Sequence, residues 1–499
     1  MANSWPVFLT SVLLSGAAFA QESSAPLSAI DWLKDLPTTQ RVAVEPPVSP
    51  NGKSPGVNVT PLDASTRQRL GLLSPSVTGL PANLWDTSEP EALVALLRKA
   101  RMQRLPAAQD LLLLLMLTEA DTDVDEQTFT LERIDTLIFQ GAVDAASTLV
   151  EQANPTSNPQ MFDRWMTLSL LSDSEEAPCR ELRSNPPLSD DVALRIYCTA
   201  RVGNFETAAL LFGNAAALGE FSDDTTALLE GFLDPELFST EDLPRPPVRP
   251  DALTFRLYES VGSSLPTAPL QRAFAHQDLS QDAGWKAQLE AAERLARAGV
   301  LPGNQLLGLY TRNTPAASGG VWDRIAALQA FETNLAARNI KGIEKTLPPM
   351  WRSMKAAELE VLFSGLFARD LSGLELLDQS ARIAYWMTLL SQDPLAARAP
   401  TNASRSDLFL GSVAAGKPDA ELAESTTELA VKRGFASQAT VRIAEGNLGE
   451  YLLNVLVDLA AAARGDKDAL ANAISDLRQA GFDTEARRVA VQSLLLLDT

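Results

Sequence analysis

The chain has 499 residues and carries 63 Asp and Glu against 42 Lys and Arg, which gives a formal net charge of −21 at pH 7. Acidity of this size repels nucleic acids and anionic lipid headgroups, so it argues against a protein that binds either of them. The length allows two hydrophobic cores or one extended array.

The first 20 residues have the pattern of an export signal. An apolar run ends in Ala18-Phe19-Ala20, the small-x-small pattern that signal peptidase cleaves. We therefore predict a signal peptide over residues 1–20, cleavage after Ala20 and a periplasmic location; the alternative is a buried N-terminal helix. No later apolar run reaches the roughly 18 residues that a membrane span needs, so no span is predicted.

Residues 21–82 are rich in Pro, Ser, Thr, Gly and Asn, a composition that cannot bury enough apolar area to offset the entropy of ordering. We predict a disordered tether that contains a short amphipathic helix near residues 28–36. This helix presents four apolar side chains that could dock into a partner's groove, namely Ile30, Trp32, Leu33 and Leu36. The alternative is that the helix folds back on its own domain.

From residue 83 onward, apolar residues recur at three- and four-residue spacing, and no alternating pattern typical of a strand is found. The fold class predicted is all-α, an irregular α-solenoid of stacked helical hairpins. A Pro-rich linker over 243–250 divides it into a helical-hairpin array over 83–242 and a second helical array over 251–499. The densest basic cluster, from Arg98 to Arg104, is interpreted as the solvated face of a helix end.

Two cysteines, Cys179 and Cys198, are the only ones in the chain. In an exported protein they predict one structural disulfide. Closing a loop of this length would stabilise the fold by about 3 kcal/mol in the chain-entropy model.

The segment from Gly203 to Ala215 resembles the inter-helix turn and second helix of a tetratricopeptide repeat. The residues that carry the resemblance are Gly203, Asn204, Phe205, Ala208, Phe212 and Ala215. Partial copies begin at Gly141, Gly465 and Gly481, at uneven intervals. The resemblance implies stacked hairpins that bind proteins on a concave face.

A Ser-Gly-Gly turn precedes a helix that bears Trp322. Its amides and a nearby guanidinium could bind an anion, and the candidate residues are Ser318, Gly319, Gly320 and Arg324. The alternative is tight helix packing with Trp322 as a core residue.

We find no pattern for a catalytic group, a cofactor or a metal in the sequence, and the only histidine, His276, has no nucleophile motif to serve. The function predicted is a periplasmic scaffold or adaptor with protein partners in the cell envelope. The alternative is an enzyme or accessory factor that acts on peptidoglycan.

Overall fold

The structure is a computed structural model that describes residues 67–123, 127–235, 243–280, 282–437 and 443–497. The predicted signal peptide and the helix near residues 28–36 lie outside these ranges. Within them the fold is all-α apart from one two-stranded sheet, and it is an irregular solenoid of stacked helical hairpins. Residues 65–499 make one compact unit, and both of the predicted helical arrays lie within this unit.

The elements of the first part of the chain come in the following order: β1 (Arg67–Leu70), α1 (Pro75–Thr78), α2 (Pro90–Ala100), α3 (Pro106–Leu117), β2 (Ala120–Asp123), α4 (Thr128–Gln140), α5 (Val143–Gln152), α6 (Pro159–Leu171), α7 (Glu176–Ser184), α8 (Val192–Arg201), α9 (Phe205–Leu218) and α10 (Asp223–Leu233). A short 3-10 helix, Pro186–Leu188, joins α7 to α8.

The second part continues with α11 (Ala252–Ser260), a 3-10 helix (Arg272–Leu279), α12 (Trp285–Ala296), α13 (Gly303–Thr311), α14 (Val321–Ala336), α15 (Ile340–Ala356), α16 (Glu360–Leu371), α17 (Asp378–Leu390), a 3-10 helix (Pro394–Ala396), α18 (Arg405–Ala414), α19 (Thr426–Ala436), α20 (Leu448–Ala462), α21 (Lys467–Gln479), α22 (Asp483–Gln492) and a π-helical turn (Ser493–Leu497).

Several helices begin where a polar side chain replaces a missing backbone partner. The carboxylate of Asp251 accepts a hydrogen bond from the amide of Thr254 at 2.7 Å, at the start of α11. At α18, Ser404 and Asp407 form a reciprocal capping box. Each cap satisfies amides that the first helical turn leaves unpaired.

Residues 67–82, assigned to the tether from sequence, are part of the fold. β1 pairs antiparallel with β2, with Leu70 opposite Ala120, although no strand was predicted. Leu70 and Leu80 are buried. The buried Arg133 of α4 donates from Nη2 to the carbonyl oxygens of Met116 and Thr118, at 2.7 and 3.0 Å, beside this sheet. These long-range contacts cannot be recognised in the composition of the segment.

The first helices of the solenoid contact the last ones. α2 packs against α20, and α3 packs against α22. Hydrogen bonds cross this junction: the Thr87 amide donates to the Gly446 carbonyl at 3.1 Å, and Gln103 Nε2 donates to the Leu456 carbonyl at 2.8 Å. We call this junction the closure contact.

The predicted disulfide between Cys179 and Cys198 is present, with an S–S distance of 2.01 Å. It joins α7 to α8. The bridge therefore attaches the α8–α9 hairpin, which contains the repeat-like segment, to the helix before it. Both cysteines are buried, and the prediction of one structural bridge is confirmed.

Candidate functional site

A cavity of about 420 Å³ lies where the loop before α3, the 3-10 helix at 272–279, α12 and the start of α16 come together. Four arginines line it: Arg104, Arg272, Arg294 and Arg297. We call it the arginine pocket. Its apolar wall includes Phe139, Val361 and Leu496.

Neutral acceptors hold three of these arginines in place. Arg272 Nη1 donates to Gln140 Oε1 at 2.7 Å, Arg294 Nη1 to the Thr267 carbonyl at 2.9 Å, and Arg297 Nη1 to the Ala357 carbonyl at 3.2 Å. None of the four pocket arginines forms an ion pair with a residue in the described ranges. Three of the four guanidinium groups are therefore positioned by neutral groups.

Burial and repulsion between like charges both act on Arg272 and Arg294. Burial, followed by the charges of Arg294 and Arg297, lowers the pKa of Arg272 below its usual value. Burial and the charge of Arg297 likewise lower the pKa of Arg294. Arginine remains protonated at physiological pH nonetheless, so the pocket concentrates positive charge in an acidic protein.

Two glutamates, Glu358 and Glu360, also line the pocket. Glu358 is exposed, whereas only 6% of Glu360 is exposed. Burial raises the pKa of the Glu360 carboxyl to about 7. Both residues flank Leu359, the residue before α16 begins. Around neutral pH, the acids therefore offset only part of the arginine charge.

The end of α4 supports the pocket wall. Gly141 adopts a φ of 84° there, and an ideal Cβ on it would lie 2.7 Å from Leu295 Cδ2 and 3.0 Å from Arg272 Cγ. The single histidine, His276, places Nε2 2.6 Å from the Gly141 carbonyl oxygen. His276 is thus engaged with the backbone, and Gly141 lets the Arg272 stem approach α4 closely.

The basic cluster from Arg98 to Arg104 has two roles that the sequence did not separate. Arg98 Nε donates to Glu132 at 2.8 Å, and Arg101 lies 3.9 Å from the same carboxylate. Arg104 instead lines the pocket. Its partners at 272, 294 and 297 are remote in sequence, so no local pattern indicated the cluster.

Two of the donors proposed for an anion at the Ser-Gly-Gly turn, the Arg324 guanidinium and the Gly319 amide, make internal bonds. Arg324 makes a bidentate pair with the buried Glu293, at 2.8 and 2.7 Å. The Gly319 amide donates to Asp323 at 2.9 Å. The Trp322 ring centroid lies 5.0 Å from that of Trp285. Arg324 is thus paired and Trp322 packs on another ring, while Ser318, Gly319 and Gly320 lie exposed, so the anion site there stays a prediction.

The helix of the repeat-like segment, α9, is apolar and largely exposed. Within it Ala208 and Ala215 are buried, whereas Leu210 is 70% and Leu218 76% exposed. Phe212 is half-buried and stacks on Phe221 with centroids 6.2 Å apart. By contrast α20, which is also rich in Leu and Ala, buries most of its apolar side chains. α9 therefore offers an apolar surface.

Comparisons with protein-family models, with curated proteins and with solved structures find no match to this chain. The tetratricopeptide resemblance thus stays a prediction. Among the described residues, no group of three or more His, Cys, Asp and Glu side chains is arranged to hold a metal ion. No helix in those ranges is both long and apolar enough to cross a membrane.

Proposed function

We propose that the protein is an exported scaffold or adaptor of the cell envelope and that α9 is its docking surface for a partner protein. The observation that supports docking is the exposure of Leu210 and Leu218 on a helix with the composition of a core helix. Covering each leucine would contribute about 1.5–3 kcal/mol to binding. Isolated exposed leucines are common, but two on one uncharged stretch of helix form a surface.

Charge specifies the chemistry of the partner. Residues 202–235, which include α9 and α10, contain six acidic side chains and no Lys or Arg. Glu206 lies exposed in the first turn of α9, Glu220 lies exposed just after that helix, and Asp223 lies exposed at the start of α10. The occupant that fits is a protein helix with an apolar face flanked by Lys and Arg, which would complement this rim and favour fast association.

Export is proposed from two features of the chain. The first is the cleavage pattern that ends at Ala20. The second is the buried Cys179–Cys198 bridge, since disulfides persist in oxidising compartments. Cell fractionation of the full chain and of a variant without residues 1–20 tests this part. Equal cytosolic recovery of both would contradict export.

Site-specific photo-crosslinking in cells tests docking. A photoreactive residue at position 210 or 218 should give the same partner adduct, and the matched control at Val77, 72% exposed on α1, should give none. Leu210→Glu should abolish the adduct at 218, and Glu206→Lys should weaken it by placing a cation opposite basic residues. Equal adducts from position 77, or none from α9, would refute the proposal.

The peptidoglycan alternative has its own measurement. Purified protein is sedimented with isolated sacculi, and the supernatant is analysed for released muropeptides. The adaptor hypothesis would be replaced by one of a wall-associated protein if two results are obtained together. The protein sediments with sacculi equally well with and without Leu210→Glu, and α9 gives no adduct.

A further inference from the structure

The arginine pocket carries positive charge that the acids around it offset only in part. Its four guanidinium groups face one cavity, and the acids that line it are Glu358 and the buried Glu360. Asp278, which is not part of the lining, also acts on Arg294 and favours its charged form. With both acids ionised the net charge of the lining is about +2, and with Glu360 protonated it is about +3. Like charges held this closely cost free energy unless a counter-ion binds.

The pocket arginines keep unused donors. A guanidinium has five N–H groups, whereas Arg297 spends one nitrogen on the Ala357 carbonyl and Arg104 makes no hydrogen bond within the described ranges. The carbonyl and amide contacts of the other two fix their orientation before any ligand arrives. A preorganised set of N–H donors reduces the entropy that a ligand must lose on binding.

We propose that the arginine pocket binds a small oxyanion that bears two or more negative charges, of the phosphate-monoester or dicarboxylate kind. Guanidinium forks match both groups geometrically. The cavity of about 420 Å³ is larger than a bare anion needs and lies in the range of small-molecule sites. Phe139, Val361 and Leu496 supply an apolar wall for an organic portion of the ligand.

This site is independent of the docking function proposed for α9, since the two share no residue. Titration calorimetry of the full chain at constant ionic strength is the test, with inorganic phosphate and succinate as probes and chloride as the reference anion. Saturable binding of phosphate or succinate supports the proposal, and the stronger probe identifies the ligand chemistry. Heats no different from those of chloride up to tens of millimolar would overturn it.

Variants locate the binding. Arg104→Gln and Arg297→Gln should each weaken the binding of the better probe by about 10-fold or more, because a charge-assisted hydrogen bond is lost. Arg183→Gln, an exposed arginine of α7 without an ion pair in the described ranges, is the matched control and should leave binding unchanged. Equal weakening by Arg183→Gln, or none by the pocket variants, would refute the assignment.

Residue 498 requires a further control. Leu497 lines the pocket, and Asp498, outside the described residues, follows it. Asp498→Asn should bind the probe at least as tightly as the unaltered chain. If only Asp498→Asn binds it, the pocket is a site for the chain's own carboxylate and the proposal is wrong. Thermal unfolding of every variant without ligand confirms that the fold is retained.

Discussion

A buried carboxylate that pairs with an arginine reduces the availability of that arginine to an anionic ligand. Glu293 accepts hydrogen bonds from Arg324 and from the Tyr310 hydroxyl, which joins α12, α13 and α14. A similar group joins α7 and α8, where Glu175 accepts from Tyr197 and Arg201, both at 2.9 Å. The charge of an arginine held in this way is already balanced by its carboxylate partner.

The pocket arginines differ because their acceptors are neutral. A carbonyl orients a guanidinium without balancing its charge. The groups that position Arg294 and Arg297 therefore leave the charges of these two residues uncompensated. Arg324, by contrast, already pairs with Glu293, so its charge is less available to an anion. The availability of an arginine to a ligand depends on the charge of its hydrogen-bond partner. The position of the arginine in a sequence motif does not determine this availability.

Glu360 should make the stability of the protein depend on pH. Its carboxyl has a pKa of about 7 in the folded state, above the value of 4.5 for an unburied group. Between these two pH values the unfolded chain binds fewer protons than the folded chain, so the free energy of unfolding falls as pH rises. The contribution of the protonated Glu360 to stability is therefore fully present below pH 4.5 and is lost as pH rises through 7. The full loss is about 3 kcal/mol.

The variant Glu360→Gln should remove this dependence. At pH 8 it should be more stable than the unaltered chain by up to about 3 kcal/mol, and at pH 4.5 the two should agree. Urea unfolding across this pH range measures the difference. Glu91→Gln, which alters an exposed glutamate in the first turn of α2, is the control. An equal pH dependence in Glu360→Gln would contradict the assignment.

At the scale of the element, two inter-helix glycines have the same backbone and different surroundings. Gly141 and Gly203 have φ angles of 84° and 88°. A Cβ on Gly203 would meet nothing within 4 Å, whereas one on Gly141 would press on Leu295 and Arg272. The turn at Gly203 is at an open surface, whereas the turn at Gly141 is packed between α4, α12 and the pocket wall.

Alanine at these positions should therefore have unequal effects. Gly203→Ala should cost about 1 kcal/mol, because a left-handed conformation is strained for any residue with a Cβ. Gly141→Ala should cost about 2–4 kcal/mol, since overpacking adds to the same strain. Urea unfolding of both variants gives the two free energies of unfolding. Equal losses would show that the close approach at Gly141 carries no energetic weight.

The helices and the disulfide could be predicted from sequence because both depend on local information. Apolar spacing determines which face of a helix is buried, and a chain with two cysteines has only one disulfide pairing available. The sheet and the pocket could not be predicted. β1 and β2 are about 50 residues apart, and Arg104 meets Arg272 only after the solenoid has formed. A single sequence carries no signal for such contacts.

At the scale of the whole molecule, the closure contact links the beginning of the fold to its end. An open solenoid has contacts between neighbouring repeats alone, so its ends unfold independently. Here α2 and α3 pack against α20 and α22, and the Gly449 amide donates to the Leu84 carbonyl at 2.9 Å. Loss of this junction would expose apolar faces at both ends. We therefore expect the two ends to gain protection from exchange together.

Gly449→Ala is the sharpest probe of the closure contact. An ideal Cβ at this position would collide with the Trp85 ring and lie 2.8 Å from the Leu84 carbonyl oxygen. The variant should lose about 1–3 kcal/mol, and amide hydrogen exchange should accelerate in α2 and α20 together. Gly213→Ala, in a helix with open space around the new methyl group, should instead gain about 0.5–1 kcal/mol. Faster exchange in α20 alone would mean that the two ends of the fold are stable without each other.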